Sequence, residues 1–252
     1  MLRIELQEGG WLRCILDRPE ALNALHPDQL SELTLAVNHG ATDPAVNIVT
    51  VEGAGGRAFS AGFDIKVLAE LSPQDALFNP SLTRATSALR ACPKPTLAII
   101  VGHCLGAGLD LALSCDFRIA TSGSRFGIPA VKLGTVYSAR QIEYILATLG
   151  SVLTKRLFVL GHEFDTESAY AVGLIQEVLS GDDLDEVVTR WVSLPDRGAL
   201  ARNAHKRIID SLATPPTRPS EFWEPFDALR LTSLQASERA SAVRDFQRRR
   251  RP

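Results

Sequence analysis

Two glycine-rich turns are the places in this chain where backbone amides are free to do chemistry. The first runs from Gly53 to Lys66 (GAGGRAFSAGFDIK). It follows the apolar run Ile48-Val49-Thr50-Val51 and passes through Ala61-Gly62 into a helix-like run, Ile65–Leu71. The second, Val101–Asp116 (VGHCLGAGLDLALSCD), follows Leu97–Val101 and carries Gly102, Gly106 and Gly108 ahead of the apolar run Leu109–Leu113. A buried strand, a glycine turn and an apolar helix together present unpaired N–H groups at a helix N-terminus. Such a site suits anionic oxygen, either a phosphate or a developing oxyanion. Two such units, each offering one N–H to a common point, make an oxyanion hole. Tight helix–strand packing is the simpler use of the same glycines. No Gly-Lys-Ser/Thr follows either turn, and Gly102, Gly106 and Gly108 miss the G-x-G-x-x-G spacing, so neither nucleotide-loop signature is present.

The elements needed to hold these turns follow from the pattern around them. Arg3–Leu6 and Trp11–Leu16 alternate about Gly9-Gly10 and read as a hairpin. Pro27 opens a helix whose Leu30, Leu33 and Val37 form one face until Gly40, and Val46–Glu52 is the next strand. Ser72–Pro80 reads as mobile, with a helix around Leu82 and Leu89. Phe117–Thr121 and Arg125–Gly127 are short strands. Ser138 and Gln141 have capping-box spacing for a helix to about Leu149. Val152–Leu160 is a further helix, and Asp165 caps Thr166–Val172. Alternating strands and helices argue an α/β fold. Pro215, Pro216 and Pro219 mark the one linker-like break, after which Glu221–Arg248 is amphipathic and helical. The expected division is a core over 1–195 and a helical region over 196–252.

Several short stretches, in order, give this sequence a further meaning. They are Asp17-Arg18-Pro19-Glu20-Ala21-Leu22-Asn23-Ala24-Leu25, Phe59-Ser60-Ala61-Gly62-Phe63-Asp64-Ile65-Lys66, Pro93-Lys94-Pro95-Thr96, Gly102–Asp116, Phe126-Gly127-Ile128-Pro129, Leu133-Gly134 and Ala169–Ile175. Through them the chain resembles the enoyl-CoA hydratase/isomerase, or crotonase, superfamily. The resemblance implies a ββα superhelix, a C-terminal helical region that makes trimers or hexamers, and a coenzyme A thioester as substrate with no prosthetic group. It implies that the N–H groups of Ala61 and Ala107 bind the thioester oxygen and stabilise an enolate. It also implies that Ala21, Leu22 and the turn Ala61, Gly62, Phe63, Asp64 and Ile65, with Gly106, contact the CoA moiety.

The same resemblance exposes a departure. Hydratases of the family carry two glutamates facing the bound double bond. The first falls on Asp110 and the second on Ala130, and alanine transfers no proton. A positioned acid or base contributes roughly 10²–10⁴-fold, so the two-glutamate route to hydration is impaired. Asp110 is either catalytic or a first-turn carboxylate that favours the helix dipole. Tyr137 follows Leu133-Gly134, where decarboxylating relatives carry a reacting tyrosine; an acyl-pocket wall is its other role. Those relatives also have histidine where this chain has Phe63. Asp64 ties down the first turn or caps a helix. Lys66, Arg57 or a basic residue of the C-terminal helices are the candidates for the CoA phosphates; Arg248–Arg251 reads as a solvated tail, or as a further cationic contact to those phosphates. Lys132, Arg140 and Glu143 read as surface charges.

Composition narrows the alternatives. The 252 residues are 45% hydrophobic and 22% charged with a net charge of −2, which gives no argument for nucleic acid. No run approaches the ~18 apolar residues of a membrane span. Met1–Glu5 starts directly in a strand pattern with no signal-peptide core. The five histidines form no metal-like cluster, and Cys14, Cys92, Cys104 and Cys115 each sit in or beside an apolar run as reduced thiols, an intracellular pattern pointing to the cytoplasm. An acyl-CoA enzyme of hydration or isomerisation type is the leading expectation. The alternatives are a decarboxylase-like relative and a non-catalytic acyl-CoA-binding protein.

Overall fold

The computed structural model describes residues 1–64, 66–67, 80–180, 184–193 and 198–236, with 239, 241, 242 and 245. Ile65, the segment before Pro80 and Arg248–Arg251, all singled out above, lie outside the described residues.

One sheet has the order β1 (Leu2–Gln7), β2 (Trp11–Leu16), β3 (Ile48–Gly53), β5 (Thr96–Ile100), β7 (Phe117–Thr121), β10 (Glu177–Leu179). The hairpin β1–β2 is antiparallel, with Leu2 opposite Leu16 and Gln7 opposite Trp11. Every other pair is parallel: Trp11 lies beside Ile48, Val49 beside Thr96, Leu97 beside Phe117 and Glu177 beside Ile119. The central strand β5 (TLAII) is buried along its whole length, as befits a parallel strand covered on both faces. The edge strand β1 is largely exposed. A second, smaller sheet has the order β4 (Ala58–Ser60), β6 (His103–Leu105), β8 (Arg125–Gly127), β9 (Glu163–Asp165).

The helices with defined bounds are α1 (Pro27–Thr42), α2 (Pro80–Ala91), α3 (Ala107–Leu113), α4 (Ala139–Phe158), α5 (Thr166–Ala171), α6 (Leu184–Val192), α7 (Ala199–Ala213) and α8 (Ser220–Gln235). They and the strands gather into two compact units. Met1–Asp64, Pro80–Phe126 and Phe164–Ala213 form the first; the second contains Gly127–Glu163 and the chain from Thr214 onward. The first unit holds both sheets' buried strands and helices α1, α2 and α3.

Local chemistry explains where the elements begin and end. Pro27 opens α1 as expected, but the helix continues past Gly40 to Thr42. Gly40 is a packing glycine: a Cβ there would stand 2.5 Å from Leu12 Cδ2. Asp165 caps α5, its Oδ1 accepting the Ser168 N–H at 2.9 Å. Ser138 occupies the N-cap position of α4, yet its side chain accepts no capping bond, so the expected box is not made. The two expected helices from Ser138 to Leu160 form one run broken at Gly150, whose φ of 73° and ψ of 168° are non-helical. Helix α8 ends at Gln235, where Ala236 turns extended; Arg239, Ser241, Ala242 and Asp245 beyond it are again helical.

Candidate active site

The first turn is built by the segment after β2. Leu22 and Asn23 both take left-handed backbone (φ 51° and 53°). Asn23 is fully buried and donates to Ala54 O at 2.9 Å and Ala58 O at 2.7 Å, while its Oδ1 accepts the Arg18 N–H at 3.0 Å. This ties the Ala21-Leu22 turn to both ends of the Gly53–Ala58 loop. Arg18 then reaches forward: its Nη1 meets Asp64 Oδ2 at 3.0 Å and the Ala24 carbonyl at 2.9 Å. Asp64 therefore holds the first turn through a guanidinium pair. A short parallel bridge closes the arrangement, with Leu25 N–H on Gly62 O at 2.8 Å and Asp64 N–H on Leu25 O at 2.9 Å. The Ala61 amide donates to Leu22 O at 2.9 Å, so one expected oxyanion donor is engaged by the protein's own carbonyl.

The second turn reverses at Gly106 (φ 58°, ψ −125°), which ends β6 and caps α3. Ala107 supplies the first amide of α3, one of the donors a helix leaves without an intrahelical partner. The two turns touch. A Cβ on Gly62 (φ 103°) would lie 3.0 Å from Leu105 O and 3.6 Å from Ala107 N, and one on Gly108 would lie 2.7 Å from Ser60 Cβ. Only glycine at 62 and 108 lets Ser60-Ala61-Gly62 and Gly106-Ala107 approach this closely.

Helix α3 is buried along its whole length, and Asp110 on its first turn is 1% exposed. Its far end is anchored by Arg118, whose guanidinium donates to Cys115 O at 2.9 Å and Leu174 O at 2.7 Å. Burial lowers the Arg118 pKa, with the neighbouring Cys115, Asp116 and Cys104 acting the other way. Asp116 accepts the Thr96 N–H at 2.8 Å and pairs with Lys206, fixing the start of β5 beside the end of α3. Arg57 and Lys66 are both exposed.

In the second unit, Ala130 is buried at the head of a 3-10 turn, Val131–Leu133, and its carbonyl accepts Thr135 N–H at 3.0 Å. The Tyr137 ring packs on Phe158 with centroids 5.3 Å apart. Val136 N–H donates to Ser233 Oγ of α8 at 2.9 Å. Arg230 of the same helix has its pKa lowered by burial, with the Tyr137 phenol and Asp227 opposing. The supposed surface charges are partnered: Lys132 with Glu163 at 2.8 Å, Glu143 with Arg218, and Arg140 over the Trp223 ring at 4.7 Å.

Sequence comparison sets these turns in a family. The pattern of enoyl-CoA hydratase/isomerase matches residues 8–244. The chain belongs to the enoyl-CoA hydratase/isomerase family. A crotonyl-CoA hydratase of Syntrophomonas wolfei is 34% identical over 170 residues, covering 67% of this chain and 65% of that protein, a little under two thirds of its length. A probable enoyl-CoA hydratase of Mycobacterium leprae is 33% identical over 201 residues, covering 78% and 77% of the two chains. Among solved structures, an enoyl-CoA hydratase/carnithine racemase from Magnetospirillum magneticum superposes with a TM-score of 0.78 at 27% identity, over 100% of this chain and 96% of that one. The fold is that of the crotonase enzymes.

Arg18 and Asn23 lie in the Asp17–Leu25 stretch that carries the resemblance, and their part in building the turn shows only in the fold; the sequence signal is a polar pair in a turn after an apolar strand. The cysteines are free and buried. Burial, then Glu52 and Cys92, pushes the Cys14 thiol up to about 12, and burial raises Cys92, Cys104 and Cys115 as well, so none is poised as a nucleophile. No group of three or more His, Cys, Asp or Glu that could hold a metal occurs among the described residues. No helix among them is long and apolar enough to cross a membrane.

Proposed function

We propose that this protein is an acyl-CoA enzyme that holds a thioester oxygen on the Ala107 and Ala61 amides and stabilises the enolate formed beside it. The observation that carries the reading is the contact of the two turns: Gly62 backs directly onto the Ala107 amide at the N-terminus of a buried helix. A donor fixed before reaction, as the Ala107 N–H is at the head of its helix, needs no reorganisation as charge develops on the oxygen and is worth about 10²–10³-fold in turnover; the Ala61 amide has first to give up its bond to Leu22 O. With the carbonyl polarised, a proton can leave or join the α-carbon, and water can add to or leave the β-carbon. This is hydration, dehydration or double-bond isomerisation, in keeping with relatives named as hydratases.

Asp110 is the proposed carboxylate for proton transfer, one helical turn after Ala107 and shielded from solvent. Tyr137 is proposed as the second proton-handling group on the family pattern alone, in place of the glutamate that Ala130 cannot supply. The Ala21-Leu22 turn, Gly106 and the segment from Ala61 to Ile65 form the proposed CoA contact. We further propose a homotrimer or hexamer in the cytoplasm. In support of assembly, α7 carries an open groove in which Asn203, Arg207 and Ser211 stand among Pro93, Leu200, Ala204, Ile208 and Leu212, with Leu200 and Leu212 more than four-fifths exposed.

The loss of the second glutamate favours one alternative, an acyl-CoA-binding protein without turnover. Incubation with enoyl-, 3-hydroxyacyl- and malonyl-CoA esters, followed by mass spectrometry, separates the two. Gain or loss of one water, or an isomer shift in a chromatographically resolved ester, supports the enzyme. Binding of every ester with no change in any supports the carrier. Loss of carbon dioxide from the malonyl ester assigns a decarboxylase.

A further inference from the structure

We propose that the open edge of β1 is a docking surface for a second copy of this chain. There, β1 of the partner pairs antiparallel about a two-fold axis at Ile4 and carries the sheet from one copy into the next.

The strand is the outermost of its sheet, and two bonds at its start give its phase. Asp17 N–H donates to Met1 O at 3.1 Å, so the main chain of the odd-numbered residues faces β2. Leu2 N–H points the other way, to Glu32 Oε2 at 3.1 Å. An antiparallel strand alternates, so Ile4 and Leu6 turn N–H and C=O to the open side, where no described residue bonds them. The side chains agree. Leu2, Ile4 and Leu6 share a face with Leu16, Cys14 and Leu12, all buried, yet Ile4 is 50% and Leu6 52% exposed. The strand has no proline and no bulge to blunt its edge, and its charges, Arg3 and Glu5, stand on the face away from the apolar row.

What complements this edge is β1 itself. Its phase requires even residues to face even residues. Among registers that keep most of the strand paired, centring on Arg3 sets Arg3 opposite the partner's Arg3, and centring on Glu5 sets Glu5 opposite the partner's Glu5. Centring on Ile4 sets Arg3 opposite the partner's Glu5 on both sides of the axis, which is the favourable pairing. In that register Ile4 N–H meets the partner's Ile4 C=O, and Leu6 N–H meets the partner's Leu2 C=O, each bond made twice. The Leu2 N–H held by Glu32 is not needed. The apolar rows also join, Ile4 beside the partner's Ile4 and Leu6 beside the partner's Leu2. Helix α1 lies on β1 and β2. With strands about 4.8 Å apart, it and the partner's α1 come to about 10 Å across the axis, an ordinary helix-packing distance. Leu35, one turn after Glu32 and 71% exposed, stands on the side of α1 nearest that gap. A patch that complements itself in this way is what a two-fold contact requires. It lies on other elements than the α7 groove, so it couples two chains, or two trimers where α7 makes trimers.

Light scattering on the full-length protein at micromolar concentration tests this. Ile4→Lys sets like charges against each other at the axis, and a half-exposed position accommodates lysine within one chain. Its particle mass should be half that of wild type, a trimer from a hexamer or a monomer from a dimer. Arg3→Glu and Glu5→Arg each place like charges across the axis, and each alone should lower the mass. Mixed in equal amounts the two are complementary and should return to the wild-type mass, which also shows that both are folded. A wild-type mass that Ile4→Lys leaves unchanged overturns the proposal. A mixture that stays at the lowered mass overturns it too, because pairing of β1 with β1 in this register demands the recovery.

Discussion

Arg18 and Asp64, 46 residues apart in sequence, meet at 3.0 Å and clamp the Ala21-Leu22 turn to the turn that carries Ala61. Their side chains are 18% and 12% exposed, so the pair is largely shielded but not fully desolvated. Arg18 spends a second bond from the same Nη1 on the Ala24 carbonyl. Removing the cation by Arg18→Gln takes the guanidinium bond away from a shielded carboxylate. Hydrogen bonds to charged groups are worth about 1.5–3 kcal/mol, so we expect a loss in that range by chemical denaturation. CoA affinity should fall with it, because the clamp shapes the proposed contact surface. Unchanged stability and unchanged binding together would show that the turn is held by the Asn23 bonds alone.

The contact of the two turns sets a second expectation. Gly108→Ala would place a Cβ 2.7 Å from Ser60 Cβ and 2.9 Å from Ser60 O, the latter a backbone atom that moves only with its chain. The variant must push the Ala61 and Ala107 amides apart. A misplacement near 1 Å costs about 10²-fold in rate. We expect turnover to fall by at least tenfold while the circular-dichroism spectrum stays native. Gly56→Ala is the comparison. Gly56 meets nothing within 4 Å, so although its positive φ strains an alanine there, the turns keep their spacing. Equal losses in the two variants would argue against close approach as the reason for Gly108.

Much of this arrangement was legible before the fold was known, and the remainder has physical reasons for being hidden. The buried runs of β3 and β5 and the glycines at 62, 102 and 106 announced two strand-turn-helix units, because branched apolar runs and positive-φ positions leave marks on composition. The three-residue strands β4 and β6 left none. They are too short for a period, and His103 and Ala58 carry little strand preference. Gly40 read as a helix stop because a glycine inside a helix, here facing Leu12, looks the same in sequence as one that ends it. The engagement of Ala61 by Leu22 was invisible, since a backbone carbonyl belongs to every residue type. The pairing of Arg18 with Asp64 needed a long-range contact that neither residue's neighbours encode.

Asp165 gives a pH-dependent expectation. Hydrogen bonds from Ser168, from its hydroxyl and then its backbone N–H, lower the Asp165 pKa, and Arg125 adds to them. A carboxylate whose folded pKa is depressed contributes stability above its unfolded pKa and loses that contribution as pH falls through the folded value. The stability difference between wild type and Asp165→Ala should therefore be full at neutral pH. It should shrink below the ordinary aspartate range of about 4. Melting temperatures of the two proteins between pH 7 and pH 2.5 test the sign. A gap that widens on acidification would show that Asp165 is not the anionic cap of α5.

The gap at Ala130 supplies the last expectation. If the chain keeps a hydratase frame and lacks only proton delivery at this position, restoring the carboxylate restores hydration. Ala130→Glu, alone and combined with Asp110→Glu, should raise hydration of a short 2-enoyl-CoA by about tenfold, below the full value of a positioned acid. The local structure sets the difficulty. Ala130 is 8% exposed, its φ of −54° and ψ of −43° suit glutamate, and its carbonyl already holds Leu133 and Thr135 amides. The backbone therefore accepts the change, and the cost is that of placing a carboxyl among buried groups. Burial raises the pKa of such a carboxyl, and a raised pKa is what a proton donor near neutral pH requires. The rate of hydration should accordingly fall as pH rises through the new group's pKa, a dependence absent from the parent protein. Loss of enoyl-thioester absorbance measures the rate, and a crystal structure with bound ester reports where the new side chain points. A glutamate directed at the double bond with no gain in hydration would exclude the hydratase frame and leave isomerisation, decarboxylation or binding without turnover to account for the native site.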